Sequence, residues 1–309
     1  MEEQRYVITD VDSFELRDIF ECGQCFRWNA KDDGSYTGVI KNGVINVKKI
    51  NNDVIFEGIC NGNIADICRD YFDLNRDYNK IKTILSNVDD YLKESIEYGA
   101  GIRILNQDLW EMIISFIISA NNNIPRIKGI IERMSQKYGN KIVWKGKDYY
   151  IFPTIKQLSS ASKDDLRALG MGFRDTYIFN TTNKIASGDI NLEELHEEKD
   201  TSKVREKLLT LSGVGPKVAD CILLFSTLKR FDVFPIDVWV RRVMNDLYIK
   251  NEDETKVSKK EIEKLAKEKY GDLEGIAQQY LFYWRREQWV CKLFMEDLEQ
   301  VKVNIFSNK

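Results

Sequence analysis

The segment Leu211-Ser212-Gly213-Val214-Gly215-Pro216-Lys217 constrains the fold of this 309-residue chain more than any other. Two glycines flanking a valine make a tight turn between two stretches of helical periodicity. Val204, Leu208, Leu209 and Leu211 recur at helical spacing before it, and Val218, Ile222 and Phe225 after it. Glycine allows the positive φ and close backbone approach that such a turn requires. Pro216 suits the first helical position, where its missing N–H costs nothing. Gly213, Val214 and Gly215 thus present free N–H groups at a helix N-terminus, which is a seat for a phosphate. Lys217 lies just inside that seat. An ordinary turn between two helices answers to the same pattern, so further features must decide.

Phe234-Pro235-Ile236-Asp237 precedes the apolar pattern Val238, Val240, Val243, Leu247, which puts Asp237 at a helix N-cap. With a lysine after a phosphate-binding hairpin and a carboxylate capping a later helix, this segment resembles the helix-hairpin-helix DNA glycosylases. Lys217-Val218-Ala219-Asp220-Cys221-Ile222 is similar to their 8-oxoguanine glycosylase/lyase branch. Other family-like motifs follow in the family's order. They are Gly23-Gln24-Cys25-Phe26-Arg27-Trp28, Asn121-Asn122-Asn123-Ile124-Pro125-Arg126, Gly172-Phe173-Arg174 and Ala277-Gln278-Gln279-Tyr280-Leu281-Phe282.

Bulk composition bounds what the chain can be. It is 43% hydrophobic and 31% charged, enough apolar material for a sizeable core and too much for disorder. No run of about 18 apolar residues occurs, and Met1-Glu2-Glu3-Gln4-Arg5 is no signal peptide, so a soluble cytoplasmic protein without a membrane span is expected. The net charge of −3 opposes DNA binding by bulk charge, but residues 201–250 carry nine Lys/Arg against five Asp/Glu. Any DNA footprint is therefore small and local. The single histidine, His196, sits in a charged run and reads as an exposed helix-end residue, which leaves no histidine triad or His-ligated metal. Cys22, Cys25, Cys60, Cys68, Cys221 and Cys291 read as reduced thiols. Only Cys291 lies in the C-terminal part, so the four-cysteine iron–sulfur cluster of some relatives cannot form there.

Along the chain, residues 1–60 read as strands. Cys25 to Trp28, Tyr36 to Ile40, Val44 to Val47 and Val54 to Ile59 are separated by the turn signals Lys31-Asp32-Asp33-Gly34, Lys41-Asn42-Gly43 and Asn51-Asn52-Asp53. From about residue 64 the pattern turns helical and stays so. The mixed-charge run Lys256 to Lys269 reads as a solvated amphipathic helix. The expected fold is α+β: an antiparallel sheet domain with flanking helices over residues 1–104, then a helical domain over 105–309. The hairpin falls at 203–228, with a cleft between helical parts.

The resemblance implies an enzyme that flips 8-oxoguanine out of duplex DNA and excises it, with no cofactor, acting as a monomer. Lys217 is then the nucleophile that forms an imine with the sugar, and a neutral amine is needed. The adjacent helix N-terminus is expected to lower its pKa. Asp237 stabilises positive charge on the sugar and orients or deprotonates the amine. Cys221, one helical turn from Lys217, and Phe282 sandwich the base while Gln278 reads its Watson–Crick edge. The Gly23 carbonyl accepts the N7–H that guanine lacks. Asn121, Arg126 and Arg174 fill the vacated stack and bind the cytosine opposite, although the two arginines answer equally to phosphate contacts, and Phe173 is an aromatic wedge. Carbonyls of Leu209, Leu211 and Val214 are candidates for an alkali ion. Trp239 stands where eukaryotic members carry a phosphate-binding histidine, so that contact is lost. A monofunctional alkylpurine glycosylase of the same fold would not need Lys217, and a non-catalytic hairpin module would not need Asp237, Gln278 and Phe282 together.

Overall fold

The computed structural model describes residues 2–41 and 43–289; Asn42 and Cys291 lie outside them. Alternating apolar residues in the first sixty positions form a five-stranded sheet. Its strands are β1 (Glu3–Ile8), β2 (Trp28–Ala30), β3 (Tyr36–Ile40), β4 (Gly43–Ile50) and β5 (Asp53–Cys60), in the order β1-β5-β4-β3-β2. Every neighbouring pair is antiparallel, as the turn signals imply. One correction applies to residues 1–60. Helix α1 (Leu16–Glu21) interrupts the strands, because Leu16, Ile19 and Phe20 share a face that is buried in the sheet core. Phe20 stacks on Trp28 with ring centroids 4.3 Å apart.

After α2 (Ile64–Tyr71), α3 (Tyr78–Ser86) and α4 (Asp90–Tyr98), the chain runs through α5 (Leu109–Ser119) and α6 (Ile124–Tyr138). The expectation of unbroken helix then fails at a hairpin, β6 (Lys141–Trp144) and β7 (Lys147–Tyr150). Lys145 and Gly146 both have positive φ, 49° and 73°, the geometry of a two-residue hairpin turn. Ile142 and Trp144 of this hairpin pack with Val39, Val44 and Ile59 of the main sheet. Helices α7 (Ile155–Leu158), α8 (Lys163–Leu166), α9 (Arg174–Ala186), α10 (Leu192–Glu197), α11 (Thr201–Leu209), α12 (Pro216–Phe225), α13 (Val238–Met244) and α14 (Lys259–Tyr270) follow, with residues 274–289 also helical. The architecture is α+β. Helix α14 answers to the mixed-charge run, burying only Ile262, Ala266 and Tyr270.

Besides the small cluster under the β6–β7 hairpin, two larger cores hold the described residues together. One lies between the sheet and helices α1 and α2, and the larger one joins the helices. Ile81, Leu85, Leu92 and Ile96 of α3 and α4 belong to the helical core although they precede residue 105, whereas Leu105 packs with the sheet. Helices α5 and α12 are buried nearly all round, from Leu109 to Ile118 and from Val218 to Phe225. A helix apolar on every face is an interior helix. The N-terminus of α12, with Lys217, therefore opens from the centre of the molecule. No helix among the described residues is long and apolar enough to cross a membrane.

Candidate active site

The hairpin forms where the sequence puts it. Helix α11 ends at Leu209, Gly213 turns with φ +83°, and Pro216 opens α12 after Gly215 as N-cap. Helix α9 braces this turn: Thr181 Oγ1 donates to the Ser212 carbonyl at 2.8 Å and Lys184 Nζ to that of Thr210 at 3.1 Å. Arg205 of α11 grips Asp220 of α12 through two nitrogens, at 2.6 and 3.1 Å. A Cβ on Gly213 would stand 2.8 Å from Tyr177, so alanine there meets both a clash and an unfavourable φ. Gly213→Ala should lower stability by about 1–3 kcal/mol, read as a drop in the denaturant midpoint together with weaker DNA binding. An unchanged midpoint would contradict the bracing described. Of the carbonyls considered for an alkali ion, that of Leu211 already accepts from Val214 N at 3.2 Å.

Lys217 projects from the first turn of α12 with its amine 5.7 Å from the Phe116 ring centroid. Phe116 is stacked in turn on Phe225 and met edge-on by Phe26. This aromatic floor beneath the amine is not legible in the sequence, where Phe116 is one of many apolar residues in a mostly apolar helix. The expected lowering of the Lys217 pKa is overturned. The ammonium is held above the usual lysine value, by the Cys221 sulfur first and by Asp237 as well, against burial that pulls the other way. Burial pushes the Cys221 thiol up to about 11, so near neutrality it carries no charge and Asp237 is the anion that remains. The dipole of α12 is outweighed by a nearby full charge.

Asp237 caps α13 as expected, Oδ1 accepting from Val240 N at 2.9 Å. The carboxylate is partly exposed and interacts with Lys217 electrostatically, without an ion pair between them among the described residues. One group therefore both starts a helix and faces the amine. Trp239, two residues on, is 46% exposed and leans on Trp289 at 5.5 Å.

The base-reading residues converge from both ends of the chain. Gly23 follows α1 with φ +93°, and a Cβ placed on it would lie 3.8 Å from both Phe282 Cε1 and Arg286 Nη1. Phe282 packs on the core cluster that contains Cys221. Gln278, one helical turn before Phe282, is 5% exposed, and its buried Oε1 has no donor among the described residues. An unsatisfied buried acceptor costs about 1–3 kcal/mol unless a ligand supplies the donor. The N1–H and N2 amino edge of a guanine supplies donors of the right kind.

A third group lies at the surface. Asn121 sits at the end of α5 with φ +50° and an exposed side chain, and Asn123 caps α6 by accepting from Arg126 N at 3.0 Å. Arg126 is exposed and touches the Gly170 carbonyl at 3.3 Å. Phe173 is 58% exposed, an unusual position for a phenylalanine, with Tyr177 meeting its ring edge-on. Arg174 is placed differently from the expected base reader. It is 2% exposed, and its guanidinium donates to the carbonyls of Ala120, Asn121 and Met171. It braces the Asn121 loop against the Phe173 loop. The sequence could not show this, because all three partners are backbone oxygens, those of Ala120 and Asn121 distant along the chain.

His196 is exposed at the end of α10, and Cys22, Cys25, Cys60, Cys68 and Cys221 are buried free thiols.

Known proteins resemble this chain in family and in fold. Residues 6–113 match the family described as "8-oxoguanine DNA glycosylase, N-terminal domain", and residues 114–270 match "HhH-GPD superfamily base excision DNA repair protein". The chain is 31% identical over 231 residues to a probable N-glycosylase/DNA lyase of Methanothermobacter thermautotrophicus, covering 68% of this chain and 71% of that protein. It is 30% identical over 275 residues to the Arabidopsis thaliana N-glycosylase/DNA lyase OGG1, covering 85% and 75%. Among solved structures it resembles the Clostridium acetobutylicum 8-oxoguanine glycosylase/lyase in complex with double-stranded DNA containing cytosine opposite 8-oxoG. That match has a TM-score of 0.87 and 44% identity, over 93% of this chain and 97% of that one.

Proposed function

The chain belongs to the 8-oxoguanine glycosylase/lyase branch of the HhH-GPD base excision repair superfamily, and on that premise we propose how its residues carry out the reaction. The enzyme excises 8-oxoguanine from duplex DNA and then cleaves the strand. One observation carries the assignment of roles: Lys217 has its amine over an aromatic floor, within reach of the Asp237 charge, at the N-terminus of an interior helix.

The flipped nucleotide enters between Phe282 and Cys221, and Gln278 Oε1 takes up donors of the guanine edge. The Gly23 carbonyl accepts N7–H; ordinary guanine would set an acceptor against it. Asp237 stabilises positive charge developing on the sugar and receives the Lys217 proton. The freed amine attacks C1′ as the bond to N9 breaks, and the departing base takes up a proton. The sugar ring opens to an imine. Loss of a C2′ proton then expels the 3′ phosphate by β-elimination, leaving the lysine joined to an unsaturated sugar that water releases. Gly213 and Gly215 offer their N–H groups to a backbone phosphate near this centre, and Val214, whose N–H is taken by the Leu211 carbonyl, holds the turn between them.

Phe173 enters the stack as a wedge, Asn121 fills the gap, and Arg126 reads the cytosine opposite. Arg174 joins it only by exchanging its present carbonyl partners. The same reading takes the enzyme to work as a monomer in the cytoplasm, which accords with five buried, unbridged thiols among the described residues.

Borohydride trapping tests the reading as a whole. A reducible cross-link should form with a duplex containing 8-oxoguanine and not with undamaged DNA; failure to trap while excision proceeds would favour a water nucleophile. Opposite-base choice is tested separately. A bidentate contact is worth about 1–3 kcal/mol, so excision opposite cytosine should exceed that opposite adenine roughly ten- to a hundredfold. Arg126→Met should erase the difference. Equal rates in the unmodified protein would remove Arg126 from this role.

A further inference from the structure

Four consecutive residues at the end of α1 and just beyond it, 21–24, have an unequal fate. The carbonyl of Glu21 accepts from Arg286 Nη2 at 2.7 Å. That of Cys22 accepts from Gln279 Nε2 at 2.6 Å, and that of Gln24 from Gln107 Nε2 at 2.8 Å. The Gly23 carbonyl, between them, has no donor among the described residues. A turn whose flanking oxygens are each tied down by a separate side chain cannot rotate its peptide planes freely. The one untied acceptor is thereby fixed in direction.

Two of these ties, Gln107 and Gln279, come from buried amides whose first task is to satisfy buried backbone. Arg286 is different. It is a charged side chain, about one-fifth exposed, standing one helical turn beyond Phe282 and over its ring, with Cζ 5.6 Å from the centroid. The same guanidinium therefore touches the stacking ring and the peptide turn that carries the Gly23 carbonyl. Glu287 Oε1, 3.1 Å from Nη2, holds it there. The guanidinium also lies over Tyr283, with Cζ 5.5 Å from that ring centroid.

We propose that Arg286 is a positioning residue for lesion discrimination, setting the Gly23 carbonyl and the Phe282 ring to receive a base with an N7–H. The inference rests on the reading of Gly23 and Phe282 as the base pocket. Arg286 acts through these two groups, and not on the lysine chemistry. Its removal weakens recognition of the base while leaving the handling of an abasic sugar intact.

The test couples a protein residue to one atom of the base. In a Lys217→Gln background, affinity is measured for duplexes carrying 8-oxoguanine and its 7-deaza analogue, whose C7–H cannot donate. Arg286→Met should weaken binding of the first roughly tenfold, the scale of one charge-assisted hydrogen bond, and leave the second almost unchanged. Arg286→Lys, which keeps a donor, should restore part of the loss. With Lys217 intact, Arg286→Met should slow 8-oxoguanine excision yet nick a preformed abasic site at the normal rate, which also shows that the variant folds. Equal losses for both bases would reduce Arg286 to a general DNA or packing contact and overturn the proposal. If instead the unmodified protein does not prefer 8-oxoguanine over its 7-deaza analogue, the Gly23 reading itself falls.

Discussion

Lys217→Gln should bind lesion-containing DNA yet lose excision, strand nicking and borohydride cross-linking together. Removing a nucleophile costs on the order of 10³–10⁶ in rate, so single-turnover excision should sink towards background. The substitution is mild structurally. The aliphatic stem still covers Phe116, and glutamine is accepted in the first turn of a helix. Folding can be checked by an unchanged thermal transition. A persistent cross-link in this variant would move the imine to another amine. Lys229 is the buried alternative, but it is bound to Asp73 and the Ile104 carbonyl, away from the hairpin.

Asp237→Asn separates the two tasks of one carboxylate. The amide oxygen can still accept from Val240 N, so the α13 cap should survive. The charge is lost, and excision should fall about 10²–10³-fold, as it does when a preorganised electrostatic group is removed. The pH dependence gives a second readout. Chemistry needs the free amine, so the rate rises with pH, and the ammonium is held above its ordinary 10.5 partly by Asp237. Without that charge the amine gives up its proton more easily, and the alkaline rise should move to lower pH even as the maximum falls. A profile that drops without moving would mean that Asp237 never influenced the amine.

Local pattern exposed the parts of this enzyme that are local. The hairpin shows in its Gly-Val-Gly-Pro, and the α13 cap in Asp237 before an apolar run. Four strands show in their turn residues. The misses have a different physical origin. Helix α1 is short enough that its three apolar residues pass for a strand. The β6–β7 hairpin hides behind a Lys-Gly turn in a helical neighbourhood. The raised pKa of Lys217 comes first from Cys221, one turn away on the same helix, and then from Asp237, placed there by tertiary packing, whereas the sequence suggested only the opposing helix dipole. The bracing role of Arg174 and the ties on the Gly23 turn involve backbone oxygens, which carry no residue-type signal.

The ties on residues 21–24 also govern when the enzyme becomes able to choose. Gln279 reaches Cys22 across 257 positions of sequence, and Arg286 reaches Glu21 across 265. Contacts of such separation close late, because the intervening chain must already be ordered. During synthesis the hairpin, Lys217 and Asp237 emerge before residues 278–286, whose Tyr280 and Leu281 complete the core in which α12 packs. A nascent chain thus acquires its reactive amine before its means of telling damaged from sound guanine, and the order of emergence makes selectivity the last property to mature.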